Sequence, residues 1–128
     1  MIVIICGSRS IQDMAVVEAA IAASGFEITE VVCGMCDGPD LLGKAWADAR
    51  GIKVTEFPAN WYPEGRGGKL DRSAGYQRNT QMGLYVKEHG GGQGGCIACH
   101  QNNSDGTAHM IDFARRRCRL QVYVHVVR

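Results

Sequence analysis

The chain has 128 residues, enough for one domain with a core and too few for two. It is 45% hydrophobic and 21% charged with a net charge of +1, an ordinary globular balance that gives no support for nucleic-acid binding through bulk charge. No run reaches the roughly 18 consecutive apolar residues of a membrane span, and Met1-Ile-Val-Ile-Ile-Cys6 has no basic n-region and is too short for a signal peptide. The reading is a cytoplasmic protein with no membrane partner.

Ile2 to Cys6 reads as a first strand. A helix follows from about Ile11 to Ser24, with Ser10 as N-cap and Asp13 three residues on. Val16, Val17, Ala20 and Ile21 hold helical spacing, and Gly25 suits the position after the helix. Ile28 to Cys33 is a second strand. Pro39 to Arg50 is a second helix, opened by a proline suited to its first turn and ended by Gly51. Ile52 to Phe57 is a third strand. Asn60 to Ser73 is a long connection rich in Gly, Pro and charge, a length that favours a functional loop. Ala74 to Glu88 is a third helix, Cys96 to His100 a fourth strand, Thr107 to Arg117 a fourth helix and Leu120 to Val127 a fifth strand. The glycines of residues 90–95 enter the fourth strand at its amino end, the wrong edge for a phosphate cradle, and read as a flexible solvent loop. The β-α alternation predicts a single α/β domain over residues 1–128, a five-stranded parallel sheet with helices on both faces.

Six cysteines include two C-x2-C pairs, Cys33/Cys36 and Cys96/Cys99, a spacing that suggests zinc. In a strand, residues three apart point to opposite faces, so Cys96 and Cys99 cannot share an ion. Cys33 and Cys36 straddle a strand end and a turn. Buried reduced thiols are the favoured reading, with no metal site and no cofactor.

Three glycine-rich turns each follow a strand and open toward a helix: Gly7-Ser8-Arg9, Gly34-Met35-Cys36-Asp37-Gly38-Pro39-Asp40, and Asp105-Gly106-Thr107. Parallel strands bring such turns to one sheet edge. Free backbone N–H groups and helix dipoles converging there favour phosphate. Two further motifs, Phe57-Pro58-Ala59-Asn60-Trp61 and Arg78-Asn79-Thr80-Gln81-Met82, stand after the third strand and in the third helix.

With these five motifs in this order, the chain resembles a YspA-type member of the SLOG superfamily from Ile2 to about Val126. These are Rossmann-like three-layer domains related to the cytokinin-activating LOG enzymes and to the DNA-processing protein DprA. The resemblance implies a nucleotide-type ligand more firmly than a reaction. The family usually has a glycine where Met35 stands, a departure expected to put a side chain near the ligand or narrow the pocket. LOG-type hydrolases carry P-G-G-x-G-T-x-x-E at the third turn. Here the preceding Pro-Gly-Gly is absent, and Met110 stands in the place of the glutamate thought to act on the N-glycosidic bond.

On this reading Gly7 lets the chain pass close to a phosphate, Ser8 donates a hydroxyl bond, and Arg9 pairs with phosphate bidentately. Gly34 and Gly38 shape the second turn. Asp40 either complements the helix dipole, worth about 0.3–1 kcal/mol, or accepts hydrogen bonds from ribose hydroxyls. Trp61 can stack a base. Arg78 and Asn79 are the strongest polar candidates, ahead of Arg66, Lys69 and Arg72 in the long loop. Gly106 and Thr107 offer backbone N–H groups and a hydroxyl. Phosphates are expected on the N-termini of the first and fourth helices. His109 as a general base would have to turn inward, and His100 is either a ligand contact or a core histidine. Arg115, Arg116, Arg117 and Arg119 read as a solvated helix end.

The favoured function is a module that holds a nucleotide or ADP-ribose-like derivative as a sensor or sequestering protein. A LOG-type hydrolase is the alternative, which Met110 counts against. DprA-like single-stranded nucleic-acid binding is the third, and balanced charge argues against it. SLOG relatives often pair, so a homo-oligomer in which a site borrows residues across the interface is open.

Overall fold

The sequences Ile2–Gly7, Glu30–Cys33 and Gly95–His100 are largely apolar, as expected for strands buried on both faces, whereas Lys53–Glu56 and Gln121–Val126 mix polar and apolar residues and are partly exposed. In the computed structural model, which describes residues 1–128, they form β1 (Ile2–Gly7), β2 (Glu30–Cys33), β3 (Lys53–Glu56), β4 (Gly95–His100) and β5 (Gln121–Val126). Four helices alternate with them: α1 (Met14–Ser24), α2 (Pro39–Ala49), α3 (Ala74–His89) and α4 (Asp105–Asp112), the last extended by a wide π turn over Phe113–Arg117. All strand pairings are parallel, in the order β3-β2-β1-β4-β5. No helix is long and apolar enough to cross a membrane.

The alternation of each strand divides the core in two. Val3, Ile5, Val31, Ile97 and Cys99 face α1 and α2, where Val17, Ala20, Ile21 and Ala47 meet them. Ile4, Cys6, Val32, Cys96 and Ala98 face α3 and α4, against Met82, Val86, Met110 and Ala114. Each fully buried Val or Ile contributes about 1.5–3 kcal/mol relative to exposure. Cys96 and Cys99 thus lie on opposite faces of the sheet, as strand geometry requires. All six cysteines are free thiols and five are buried.

Two helix ends differ from the sequence expectation. α1 begins at Met14, three residues after Ile11, and Asp13 is its N-cap, accepting from Ala15 N at 2.9 Å. Ser10 cannot cap it because its Oγ donates to Gln101 Oε1 at 2.7 Å. Ile11 closes a turn onto the Ser8 carbonyl and is buried in the core. At the other end of the chain, Cys118 N bonds to Phe113 O at 3.1 Å, widening the last turn beyond α4. A Cβ on Gly83 would lie 2.8 Å from the Phe113 ring, so this ring packs directly against the α3 backbone.

From β1 the chain moves outward to β2 and β3, then returns and moves the other way through β4 to β5. The order therefore reverses between β1 and β4. In an open parallel sheet, a crevice opens outside the carboxyl ends of the two strands at such a point.

Candidate functional site

A cavity of about 480 Å³ lies at that reversal, with Cys6, Gly7 and Met110 at its base. Its volume falls within the roughly 300–1,000 Å³ of small-molecule sites. Residues from all three glycine-rich turns, the long loop and α3 reach it.

The turn after β1 is held from within. A Cβ on Gly7 would meet the Cys99 carbonyl at 2.3 Å and Pro39 Cγ at 2.6 Å. Glycine is demanded here by the neighbouring chain, while its backbone still lines the cavity. Ser8 is buried and its Oγ both donates to Gln101 O and accepts from Gln101 N, each at 2.9 Å. That hydroxyl locks β1's exit to β4's exit. Arg9 is exposed and lines the cavity, with its guanidinium 5.9 Å from the Trp61 ring centre. The first turn of α1 does not reach the cavity wall, and the Asp13 carboxylate already caps it.

The turn after β2 brings an acid and a base together. Gly34 and Gly38 lie behind the wall of the cavity. A Cβ on Gly34 would meet Asp40 Oδ2 at 2.6 Å and Arg78 Nη1 at 2.7 Å. Gly38 has φ +90 and sits 2.9 Å, by the same measure, from the Ser8 carbonyl. Met35 adopts φ 64, a left-handed conformation that explains the glycine usual at this place. Its side chain is turned toward Cys33, with the sulfurs 3.7 Å apart, and Cys36 rather than Met35 lines the cavity.

Asp40 is 4% exposed and faces the cavity from the first turn of α2. Burial pushes its carboxyl up to about 6, and the Arg78 guanidinium, the Cys36 and Gly7 amides and Arg9 oppose that rise. Arg78 is itself buried. It donates to the Gly34 carbonyl, to Asn79 Oδ1 at 3.2 Å and to Cys36 Sγ at 3.4 Å. Asn79 in turn donates through Nδ2 to the Gly106 carbonyl at 3.1 Å, tying α3 to the start of α4.

The turn before α4 is the open one. Asn102 and Asn103 have φ 56 and 50, the left-handed backbone that asparagine adopts more readily than most residues. Ser104 is the N-cap but makes no capping bond to the backbone, and its Oγ lies 3.1 Å from Thr107 Oγ1. The first-turn N–H groups of a helix have no partner within it. Gly106 is exposed, Thr107 buried, and both line the cavity. Met110 is buried, its thioether packed in the cluster of Ile4, Cys6 and Ala98.

His100 and His109 do not line the cavity. His109 packs edge-on against Tyr76 and stacks on Phe113, its Nδ1 3.2 Å from Asn79 Nδ2. Burial lowers its basicity. His100 has its Nε2 buried without a hydrogen-bond partner. The arginines at 115–117 and 119 also lie outside the cavity.

Several wall residues carried no sequence signal of their own. Cys36, whose spacing from Cys33 suggests a metal ligand, instead meets Arg78 and, at 3.8 Å, Arg9. Gln101 is the hub that receives Ser8 and Ser10. Tyr76, 43% exposed, and Gly75, where a Cβ would sit 3.1 Å from the Trp61 ring, extend the wall along α3. Arg72 lines the cavity, while Arg66 and Lys69 do not.

Residues 1–62 match the model of the family described as YspA, cpYpsA-related SLOG family. The matched stretch includes the turns after β1 and β2 and ends just beyond Trp61. Arg78, Asn79, Gly106 and Thr107 lie past it. No curated protein and no solved structure matches the chain. The matched stretch supplies β1, β2 and β3 with the two turns packed at their ends, and β4 and β5 complete the same parallel sheet: over its first 62 residues the chain is similar to YspA-type SLOG domains, and its fold is the α/β fold that this similarity implies.

Proposed function

We propose that this domain binds a nucleotide or nucleotide-derived ligand in the cavity between the carboxyl ends of β1 and β4, and holds it intact as a sensor or sequestering protein. The observation that carries this reading is the composition of the cavity wall. Three guanidiniums, Arg9, Arg72 and Arg78, face it together with the open first turn of α4. Arginine forks and free helix amides are the donors that phosphate oxygens accept. Asp40, the one carboxylate on the wall, suits ribose hydroxyls. Trp61 and Tyr76 provide ring surface for a base. A nucleotide-related role is also what the family suggests in general.

Holding rather than cleaving follows from Met110. A thioether at the base of the cavity transfers no proton and carries no charge. His109 does not line the cavity and is engaged with Asn79, Tyr76 and Phe113.

The test is incubation of the purified protein with mononucleotides, dinucleotides, ADP-ribose derivatives and cyclic nucleotides, followed by separation, denaturation and mass spectrometry of both fractions. Recovery of one compound intact with the protein is the expected result. Free base or ribose phosphate accumulating beyond the amount of protein would replace holding by cleavage. No retained compound at all would remove the nucleotide reading.

A further inference from the structure

A second hollow, of about 580 Å³, opens beside the first within the loop that runs from Pro63 to Ser73, whose own residues line it. Arg72 belongs to the walls of both. The loop is closed at its neck by Asp71 N donating to Trp61 O at 2.7 Å, and internally by Gly65 N to Tyr62 O and Gly68 N to Gly65 O. Compact loops with ends this close hold their own shape and are often functional.

The charges in this hollow are unevenly used. The Asp71 carboxylate accepts from Ser73 N, Ser73 Oγ and Gln77 Nε2, and so is committed to the start of α3. The ion pairs of the molecule are Lys44–Asp48, Lys53–Glu30 and Arg116–Asp112. Lys69, Arg72 and Glu64 therefore face this hollow with no charged partner, beside the exposed Leu70. Two cations, one free carboxylate and an apolar surface suit a polar group carried on a phosphate.

We infer that the 63–73 hollow is a second subsite, and that the ligand is a two-part nucleotide. Its linking phosphates lie at Arg72 and its distal sugar or nucleoside within the loop, between Lys69 and Glu64. This rests on the nucleotide reading above and adds to it the length of the ligand and the place of its far end.

The experiment is titration calorimetry with matched pairs: AMP and ADP-ribose, GMP and GDP-mannose, UMP and UDP-glucose. The expected result is that in at least one pair the extended member binds about tenfold tighter or better. Lys69→Ala should reduce that advantage by about three- to tenfold, the loss of one charge-assisted bond, and leave the mononucleotide affinity unchanged. Mononucleotides binding as well as their extended partners in every pair would overturn the subsite and leave the nucleotide reading standing. A preference for extended members that Lys69→Ala does not alter would overturn the placement within the loop. Absence of binding by all six compounds would overturn the nucleotide reading and the subsite with it.

Discussion

Gly7 and Gly106 both stand in glycine-containing turns at the carboxyl edge of the sheet, and their surroundings are opposite. A Cβ on Gly7 would lie 2.3 Å from the Cys99 carbonyl, whereas one on Gly106 would meet nothing within 4 Å. The turns after β1 and β2 are filled by the protein itself. Ser8 is bonded to Gln101, Asp40 is set against Arg78, and Pro39 presses on Gly7. The turn before α4 lines the cavity with Ser104, Gly106 and Thr107, and Ser104 makes no side-chain capping bond to the first turn. Similar turn residues thus serve two ends: close packing that positions charged side chains, and open backbone that can receive an anion.

The largest effect that can break this comparison is at Gly7. Gly7→Ala forces a methyl into a backbone carbonyl, and is expected to cost about 3 kcal/mol of stability or more, measured by urea unfolding. A cost below about 1 kcal/mol would mean that the first turn is not packed as described. Next is Arg78→Ala. It is expected to weaken binding of the retained nucleotide by about 1.5–3 kcal/mol, and unchanged affinity with the fold intact would remove Arg78 from the site.

Asp40 gives a third test through pH. Its carboxyl is raised from 3.8 to about 6 in the folded chain. Between those values the native state holds more protons than the unfolded one, so stability falls as pH rises through this window. Asp40→Asn removes the titration. The unfolding free energy of the variant minus that of the wild type should therefore increase by about 2 kcal/mol from pH 4 to pH 7. A difference that stays flat across that range would show Asp40 to be solvated. The smallest effect is at Gly106. Ala at this open helical position should leave stability unchanged or raise it by about 0.4–1 kcal/mol. A loss comparable to that at Gly7 would erase the contrast between the two turns.

Much of the fold was legible because its signals are local. Apolar runs marked the central strands and β-branched residues among polar ones the edge strands, Pro39 opened α2, and Gly25 at φ 70 closed α1. The errors came from partners far away in sequence. Ser10 looked like a helix cap, but its acceptor is Gln101, 91 residues on. The same bonding drew the start of α1 back from the cavity, so that of the two helix ends expected at phosphate only that of α4 lines it.

The site was partly legible for the same reason. Arg9, Asp40, Trp61, Arg78, Asn79 and Thr107 were readable as polar or aromatic residues beside turns, and they line one cavity. Gly34 and Gly38 were read as ligand-shaping, yet their neighbours are Asp40, Arg78 and Ser8. No sequence window could reveal that the Ser8 hydroxyl is bound to Gln101, or that Cys36 lies between two guanidiniums. Met35 was noted as a departure from glycine, but only the backbone shows that it keeps the left-handed conformation and turns its sulfur to Cys33.

The most direct test of the central claim is amide chemical-shift mapping of the wild-type protein titrated in turn with AMP, GMP, CMP and UMP. The account predicts that at least one of them shifts the Gly106 and Thr107 amides together with the Arg9 and Trp61 side-chain N–H signals, while residues of β5 stay in place. Saturating shifts confined to other surfaces, or no shift at Gly106 and Thr107 with any of the four, would contradict it.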